Sequence, residues 1–246
     1  MSRFFTNNYF LINLYKKNSS KSEVVTQMIY GESFKILNRY TEWLKIKIKE
    51  DGYVGYVKKK KFTSYLKPTH KVSVLSANIY KNSNLKKKVA ILSYSSKIKV
   101  EKVISKYAKF QNRWIETKNI KPIIFKNKNV FKDIKIFRGV KYKWGGKTFN
   151  GIDCSALIQL CLNFNNSFCP RDTAQQVKFL KKNINLKNIK KNDIIYWKGH
   201  VALALSRKKL IHAYGPRKKT LTMDIQKTIK LIKKTANLNI ISVKRI

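Results

Sequence analysis

Short alternating segments over residues 9–122, a helix-then-strand order over 123–246, and one stretch apolar on nearly every side together predict an α+β domain preceded by two small β-barrels. The boundaries fall at 1–67 for the first barrel, 68–124 for the second and 125–246 for the α+β domain.

In the first barrel, Phe10–Tyr15 is a strand candidate, and Ser33–Leu37 and Trp43–Ile48 alternate polar with apolar side chains. That alternation marks a half-buried strand. Asp51-Gly52 supplies a hairpin turn into Tyr53–Val57. Four or five strands in so short a stretch close into a barrel. His70–Leu75, Ile98–Val103 and Trp114–Thr117 repeat the theme, and Trp43 and Trp114 each begin a late strand of their unit. This weak internal repeat predicts two similar barrels in tandem.

From residue 123 the texture changes. Val130, Phe131, Ile134 and Phe137 are spaced as on a helix, ending near Gly139. Cys154–Asn166 is apolar except for a stripe of Ser155, Gln159 and Asn163, which predicts a buried central helix. Thr173–Leu180 predicts a third helix, capped by Asp172 or Thr173. Strands follow at Ile194–Trp197, Val201–Leu205, Lys209–Ala213, Leu221–Met223 and Ile240–Val243, with Asp224 capping an amphipathic helix that runs to Ala236.

With 55 Lys+Arg against 12 Asp+Glu the formal net charge is +43. One reading is attraction to a polyanion, nucleic acid or an anionic envelope polymer. The other is codon bias toward lysine, asparagine and isoleucine at tolerant surface sites. Lysines are scattered through every segment, which favours the second. The 3 cysteines, Cys154, Cys161 and Cys169, give no disulfide framework and fit a reducing compartment. The apolar run near Phe4–Ile12 is broken by Thr6, Asn7 and Asn8, and no small-residue cleavage site follows. No window approaches the roughly 20 apolar residues of a membrane span. The expectation is a cytoplasmic protein without a span, with export left open.

The chemistry centres on Gly151-Ile152-Asp153-Cys154-Ser155. A thiol at the junction of a loop and a helix start is reachable, and backbone N–H groups there favour thiolate. His200 begins one predicted strand and His212 lies near the end of the next. A hairpin turning at Ser206–Lys208 brings both to one end of the sheet. One imidazole can take the thiol proton while a second polar residue fixes its tautomer. Cys154, His200 and His212 fill these roles in order. The same three side chains are zinc-type ligands, but no short Cys or His pair accompanies them, which argues against a metal.

Six blocks carry a family resemblance: Tyr142-x-Trp144-Gly145-Gly146, Asp153-Cys154-Ser155, Pro170-Arg171-Asp172-Thr173-x-x-Gln176, Asn192-Asp193-Ile194, Gly199-His200-Val201 and Ile211-His212-Ala213. In order and spacing, residues 128–246 resemble an NlpC/p60-type cell-wall cysteine peptidase. The preceding units are similar to bacterial SH3-like domains, best at Tyr30-Gly31-Glu32 and Asp51–Val57. The resemblance implies a papain-like fold and hydrolysis of an amide in peptidoglycan stem peptides, usually between γ-D-glutamate and the diamino acid. It implies Cys154 as nucleophile, His200 as base and His212 as orienting residue. It also implies that Tyr142, Asp153 and Ser155 line the site and help hold the free amino end of the substrate, and that no cofactor is needed. Soluble murein peptides, met in recycling, are the expected partner. Ala156 stands where the family usually has glycine, and Asn192 replaces the glycine of its Gly-Asp-Leu turn.

Plainer roles are expected elsewhere. Cys161 packs in the core, Cys169 has no assigned role, His70 is a solvated inter-domain residue, Tyr142 and Trp144 can be core aromatics, and Arg171-Asp172 is a helix-capping ion pair. Two other functions fit parts of the sequence. One is a basic polyanion-binding protein with a decayed site. The other is a thiol acyltransferase or amidase on another substrate, disfavoured because no membrane-seeking helix stands out.

Overall fold

The computed structural model describes residues 3–84 and 87–246. The first unit is one antiparallel sheet of β1 (Phe4–Thr6), β2 (Leu11–Tyr15), β3 (Val24–Ile29), β4 (Ser33–Arg39), β5 (Trp43–Ile48), β6 (Val54–Lys58) and β7 (Thr63–Ser64). The spatial order is β3-β2-β6-β5-β4-β1-β7. Its core is the inward row Leu14, Met28, Phe34, Leu44, Ile46 and Val57. β3 departs from simple alternation: Thr26 and Gln27 are both buried, because both bond across to the C-terminal unit.

The second unit is built from β8 (His70–Val72), β9 (Ser76–Tyr80), β10 (Lys88–Ser93), β11 (Lys97–Ile98), β12 (Lys102–Ile104), β13 (Tyr107–Phe110), β14 (Arg113–Glu116) and β15 (Ile120–Pro122). These form sheets ordered β10-β9-β14-β13-β12 and β11-β8-β15 around Val72, Ile79, Leu92 and Phe110. His70 is half-buried on β8, bonded to the Thr69 hydroxyl at 2.9 Å.

In the C-terminal unit a short hairpin of β16 (Lys147–Thr148) and β17 (Gly151–Ile152) leads into α1 (Cys154–Phe164), then α2 (Thr173–Phe179). A six-stranded antiparallel sheet follows: β18 (Lys182–Asn183), β19 (Ile194–Trp197), β20 (His200–Ala204), β21 (Lys209–Tyr214), β22 (Lys219–Asp224) and, after α3 (Ile225–Ala236), β23 (Ile240–Arg245). The order is β18-β23-β19-β20-β21-β22. Period-two alternation divides its faces. Ile194, Tyr196, Val201, Leu203 and Ile211 pack with α1 residues such as Leu157 and Leu160. Ile195, Trp197, Ala202, Leu210 and Val243 pack with Ile225 and Ile232 of α3. Burying each such aliphatic chain contributes roughly 1.5–3 kcal/mol. The helix expected over Val130–Val140 is a correction. That stretch is a run of turns with one 3-10 turn at Ile134–Phe137. Asn129 Oδ1 accepts from Phe131 N, and Asp133 accepts from Tyr94 and Asn127, so side chains hold the turns while Phe131, Ile134 and Phe137 still reach the core.

Buried polar bonds tie the units together. Lys71 of β8, almost wholly buried, donates to Phe125 O at 2.7 Å, to Phe164 O, and to Asn166 Oδ1 at 3.2 Å. Its ammonium thus caps the carbonyl end of α1, where a cation opposes the negative pole of the helix. Burial lowers its pKa to about 8. Lys147, with no exposed surface, donates to Glu32 at 2.7 Å and lies 3.8 Å from Asp51. Against desolvation, these two carboxylates raise the Lys147 pKa. The polar stripe on α1 turns toward the first unit, where Gln159 donates to Asp51 Oδ2 at 3.2 Å.

Candidate active site

The loop before α1 is built around one carboxylate. Asp153 has extended backbone and caps the helix, Oδ1 accepting from Ala156 N at 2.9 Å. Oδ2 accepts from Gly145 N at 2.9 Å. Gly145 has φ +70°, and a Cβ there would lie 2.8 Å from Val24 O, so only glycine fits between this turn and the first unit. Arg171 completes the cluster. Its Nη1 and Nη2 donate to Asp153 at 2.9 and 2.5 Å, Nη1 also donates to Ser155 Oγ at 2.8 Å, and Nε donates to Thr26 Oγ1 at 2.7 Å. Although complete burial works against it, the Asp153 carboxylate keeps the guanidinium charged.

Cys154 opens α1 and is 5% exposed, yet it reaches the floor of a cleft of about 350 Å³. Asp153, Ser155, Asp172 and Trp144 line the cleft from the C-terminal unit, and Glu23 and Tyr53 from the first unit. Trp144 is 59% exposed and donates its indole N–H to Glu23 at 2.8 Å, so it bridges the units over the cleft rather than filling a core. Tyr142 is half-buried beside the thiol, against Gly215. Burial, then the charges of Cys154 and Asp153, push its phenol pKa up.

The thiol lies against the start of β20, Sγ 4.0 Å from Gly199 O. N–H groups of Val201 and Ser155 approach the sulfur and favour thiolate. Burial and then the Asp153 charge outweigh them and push the thiol up to about 12. Burial thus works against the thiolate expected from the helix start and favours the neutral thiol.

His200 and His212 meet diagonally across β20 and β21. Trp197 pairs with His200 across a turn at Gly199, whose φ is +74°. The register Leu203↔Ile211 places both imidazoles on one face. His200 Nε2 lies 2.9 Å from His212 Nδ1, and His212 Nε2 lies 3.3 Å from Met223 Sδ. A thioether sulfur can only accept. His212 therefore carries its proton on Nε2, its Nδ1 accepts from His200 Nε2–H, and His200 Nδ1 keeps a free lone pair. Tyr214 stacks on His212 with centroids 4.7 Å apart and planes 8° off parallel. Burial lowers His200 to about 4; burial and then the charge of His200 lower His212 to about 3. Both rings rest neutral.

The expected Arg171–Asp172 pair is also corrected. Arg171 turns to Asp153, and Asp172, at the N-cap of α2, makes no capping bond with its side chain. Its carboxylate bonds Tyr53 instead, and burial raises its pKa. Glu23 is a cleft residue that the sequence did not single out, whereas Trp144 and Asp172 stood in its motif blocks with plainer roles expected. Cys161 and Cys169 are buried away from the cleft lining.

A neutral thiol at a helix start, a tautomer-locked imidazole pair and an adjoining cleft define the class: a cysteine-hydrolase type of site on an α+β domain. Residues 139–236 match the NlpC/P60 family, and residues 14–62 match the bacterial dipeptidyl-peptidase Sh3 domain. An NlpC/P60 domain thus follows a bacterial SH3 domain in this chain, and dipeptidyl-peptidases are among its relatives. A γ-D-glutamyl-L-lysine dipeptidyl-peptidase of Bacillus subtilis is 25% identical over 232 residues, 84% of this chain and 77% of the relative. Dipeptidyl-peptidase 6 of Lysinibacillus sphaericus is 34% identical over 85 residues, 35% of this chain and only 31% of that protein. The fold is shared with the crystal structure of an NlpC/P60 family protein from Bacillus cereus, with a TM-score of 0.84, 17% identity and 99% of each chain covered. Among the described residues no helix is long and apolar enough to cross a membrane.

Proposed function

We propose that this protein is a cysteine peptidase that hydrolyses the γ-D-glutamyl–diamino acid bond of soluble peptidoglycan stem peptides, as in cytoplasmic murein recycling, with a papain-like catalytic unit and two SH3-like units. The observation that carries this reading is the chain His200–His212–Met223, which leaves an unprotonated ring nitrogen on the strand start against which Cys154 lies.

With thiol and imidazole both neutral at rest, the proton moves as attack occurs. Cys154 S–H gives its proton to His200 Nδ1 while Sγ bonds the scissile carbonyl carbon. N–H groups at the start of α1, that of Cys154 included, stabilise the oxyanion. His212 Nδ1 holds the imidazolium in place. The tetrahedral centre collapses to a thioester as His200 returns the proton to the leaving amine. Water, deprotonated by His200, then releases the acid.

The cleft suits a substrate with a free ammonium end. Glu23, Asp153 and Asp172, three of only 12 carboxylates in a chain of net charge +43, line it. Tyr142, Asp153 and Ser155 serve as substrate-side residues. Because Asp153 is matched by Arg171 and Glu23 faces Lys16 at 3.7 Å, those two act mainly by shaping the cleft, while Asp172 presents the attracting charge.

The test is incubation with synthetic L-Ala-γ-D-Glu-diaminopimelate and its lysine counterpart, scoring the free diamino-acid portion. Release by the native chain and none by Cys154→Ala supports the reading. No release from either peptide, or undiminished release by the variant, removes it.

A further inference from the structure

On the sheet face that carries α3, opposite the face that packs α1, two cavities meet at the single turn Leu186–Asn188. The first, about 450 Å³, is bounded by Lys187, Asn188, Lys190, Arg207 and Arg245. Arg245 is engaged with Asp193 through two bonds of 2.7 Å, and its Nη2 holds Asn188 O at 3.2 Å. The side chains of Lys187, Lys190 and Arg207 form no salt bridge among the described residues, although Asp193 accepts from Lys190 N at 2.7 Å and feels the Lys190 charge. The second cavity, about 510 Å³, is floored by Leu186, Ile229, Leu238 and Ile240. Lys230, Lys233 and Lys234 of α3 rim it, and no carboxylate lines either cavity. Just beyond, Ile241 is 57% exposed.

The juxtaposition selects a ligand. A free small anion would satisfy the basic cleft and leave the apolar groove in water. A neutral apolar ligand would fill the groove and leave cations unpaired on both sides. An anionic amphiphile meets both needs, and a basic helix with an apolar flank lies naturally in a lipid–water interface. We infer that this face docks on an anionic phospholipid bilayer, the phosphate in the Lys187–Lys190–Arg207 cleft and an acyl segment over Leu238 and Ile240. The cleft at Cys154, lined by the first unit and the start of α1, shares no lining residue with either cavity. The docking is independent of the peptidase reading.

Because the whole chain is strongly basic, the test must separate this face from general attraction. The full chain is co-sedimented with phosphatidylglycerol vesicles and with phosphatidylcholine vesicles, at low and high salt and with inorganic phosphate as competitor. Binding is expected to phosphatidylglycerol alone. Lys187→Gln/Lys190→Gln/Arg207→Gln should weaken it about tenfold or more, and the remote triple Lys59→Gln/Lys60→Gln/Lys61→Gln should leave it unchanged. Leu238→Ser should abolish the fraction that survives high salt. Hydrogen exchange should show vesicle-dependent protection over residues 229–241. Equal loss in both triple variants, or a Leu238→Ser chain that binds as the native one does without such protection, overturns the inference. So does full displacement by inorganic phosphate, which would reduce the face to an anion site.

Discussion

Arg171 grips Asp153 with two nearly buried hydrogen bonds, 2.9 and 2.5 Å long, and so fixes the residue on the N-terminal side of Cys154. The same guanidinium holds Ser155 on the other side and Thr26 in the first unit. One side chain therefore sets the loop that presents the thiol and fastens the SH3 domain to it. Replacement by methionine leaves Asp153 buried without its cation, and such a break costs about 3–5 kcal/mol. Urea unfolding of Arg171→Met should show that loss. Arg171→Lys should recover only part of it, since an ammonium cannot form the two-pronged contact. Arg171→Met/Asp153→Asn should be less destabilised than the sum of the single changes.

Stability should depend on pH in a direction set by the imidazoles. His200 and His212 titrate near 4 and 3 in the folded chain against an ordinary 6.5. Between those limits the unfolded chain binds more protons. Stability is thus complete above about 6.5 and declines as pH falls toward 4. Cys154, raised from 9.0 to about 12, adds a second decline as pH rises above 9. Unfolding free energy measured across pH should follow both limbs. Cys154→Ala should lessen only the alkaline one, to which buried Cys161 and Cys169, also pushed up by desolvation, continue to contribute.

The tautomer argument separates two substitutions at His212. Asparagine can still offer a carbonyl oxygen to His200 Nε2–H, whereas leucine cannot. Turnover should fall about 10²-fold or more for His212→Leu and less for His212→Asn, mainly in kcat rather than KM. Equal losses would show that His212 does not orient His200.

Lys147 makes the second buried link between the units. Lys147→Met strands Glu32 and Asp51 in the interface, at a cost of about 3–5 kcal/mol. Limited proteolysis should then cut between the first and C-terminal units sooner than in the native chain.

The thiol helix and the strand pair were legible because each is local. The apolar run from Cys154 has the period of a helix, and the run from Val201 has the length and branching of a buried strand. Proximity of His200 to His212 also followed, since a short turn after Leu205 pairs the two strands antiparallel. Long-range polar pairing was not legible. Nothing in Pro170-Arg171-Asp172 says that the arginine reaches back to Asp153, and the neighbouring aspartate was the natural local partner. β3 escaped for a related reason, because Thr26 and Gln27 are buried for bonds to residues more than a hundred positions away. The burial acting on the thiol was not legible either, because helix-start N–H groups are visible in sequence, whereas desolvation is not.

The central claim is covalent catalysis by Cys154 with His200 as base, and intact-protein mass after acid quench during turnover tests it most directly. On L-Ala-γ-D-Glu-L-Lys the expected result is a mass increase of one L-Ala-γ-D-Glu acyl group. It should map to the peptide containing Cys154, rather than Cys161 or Cys169, and be missing from His200→Ala. Turnover without any adduct, or an adduct on another cysteine, would contradict the account.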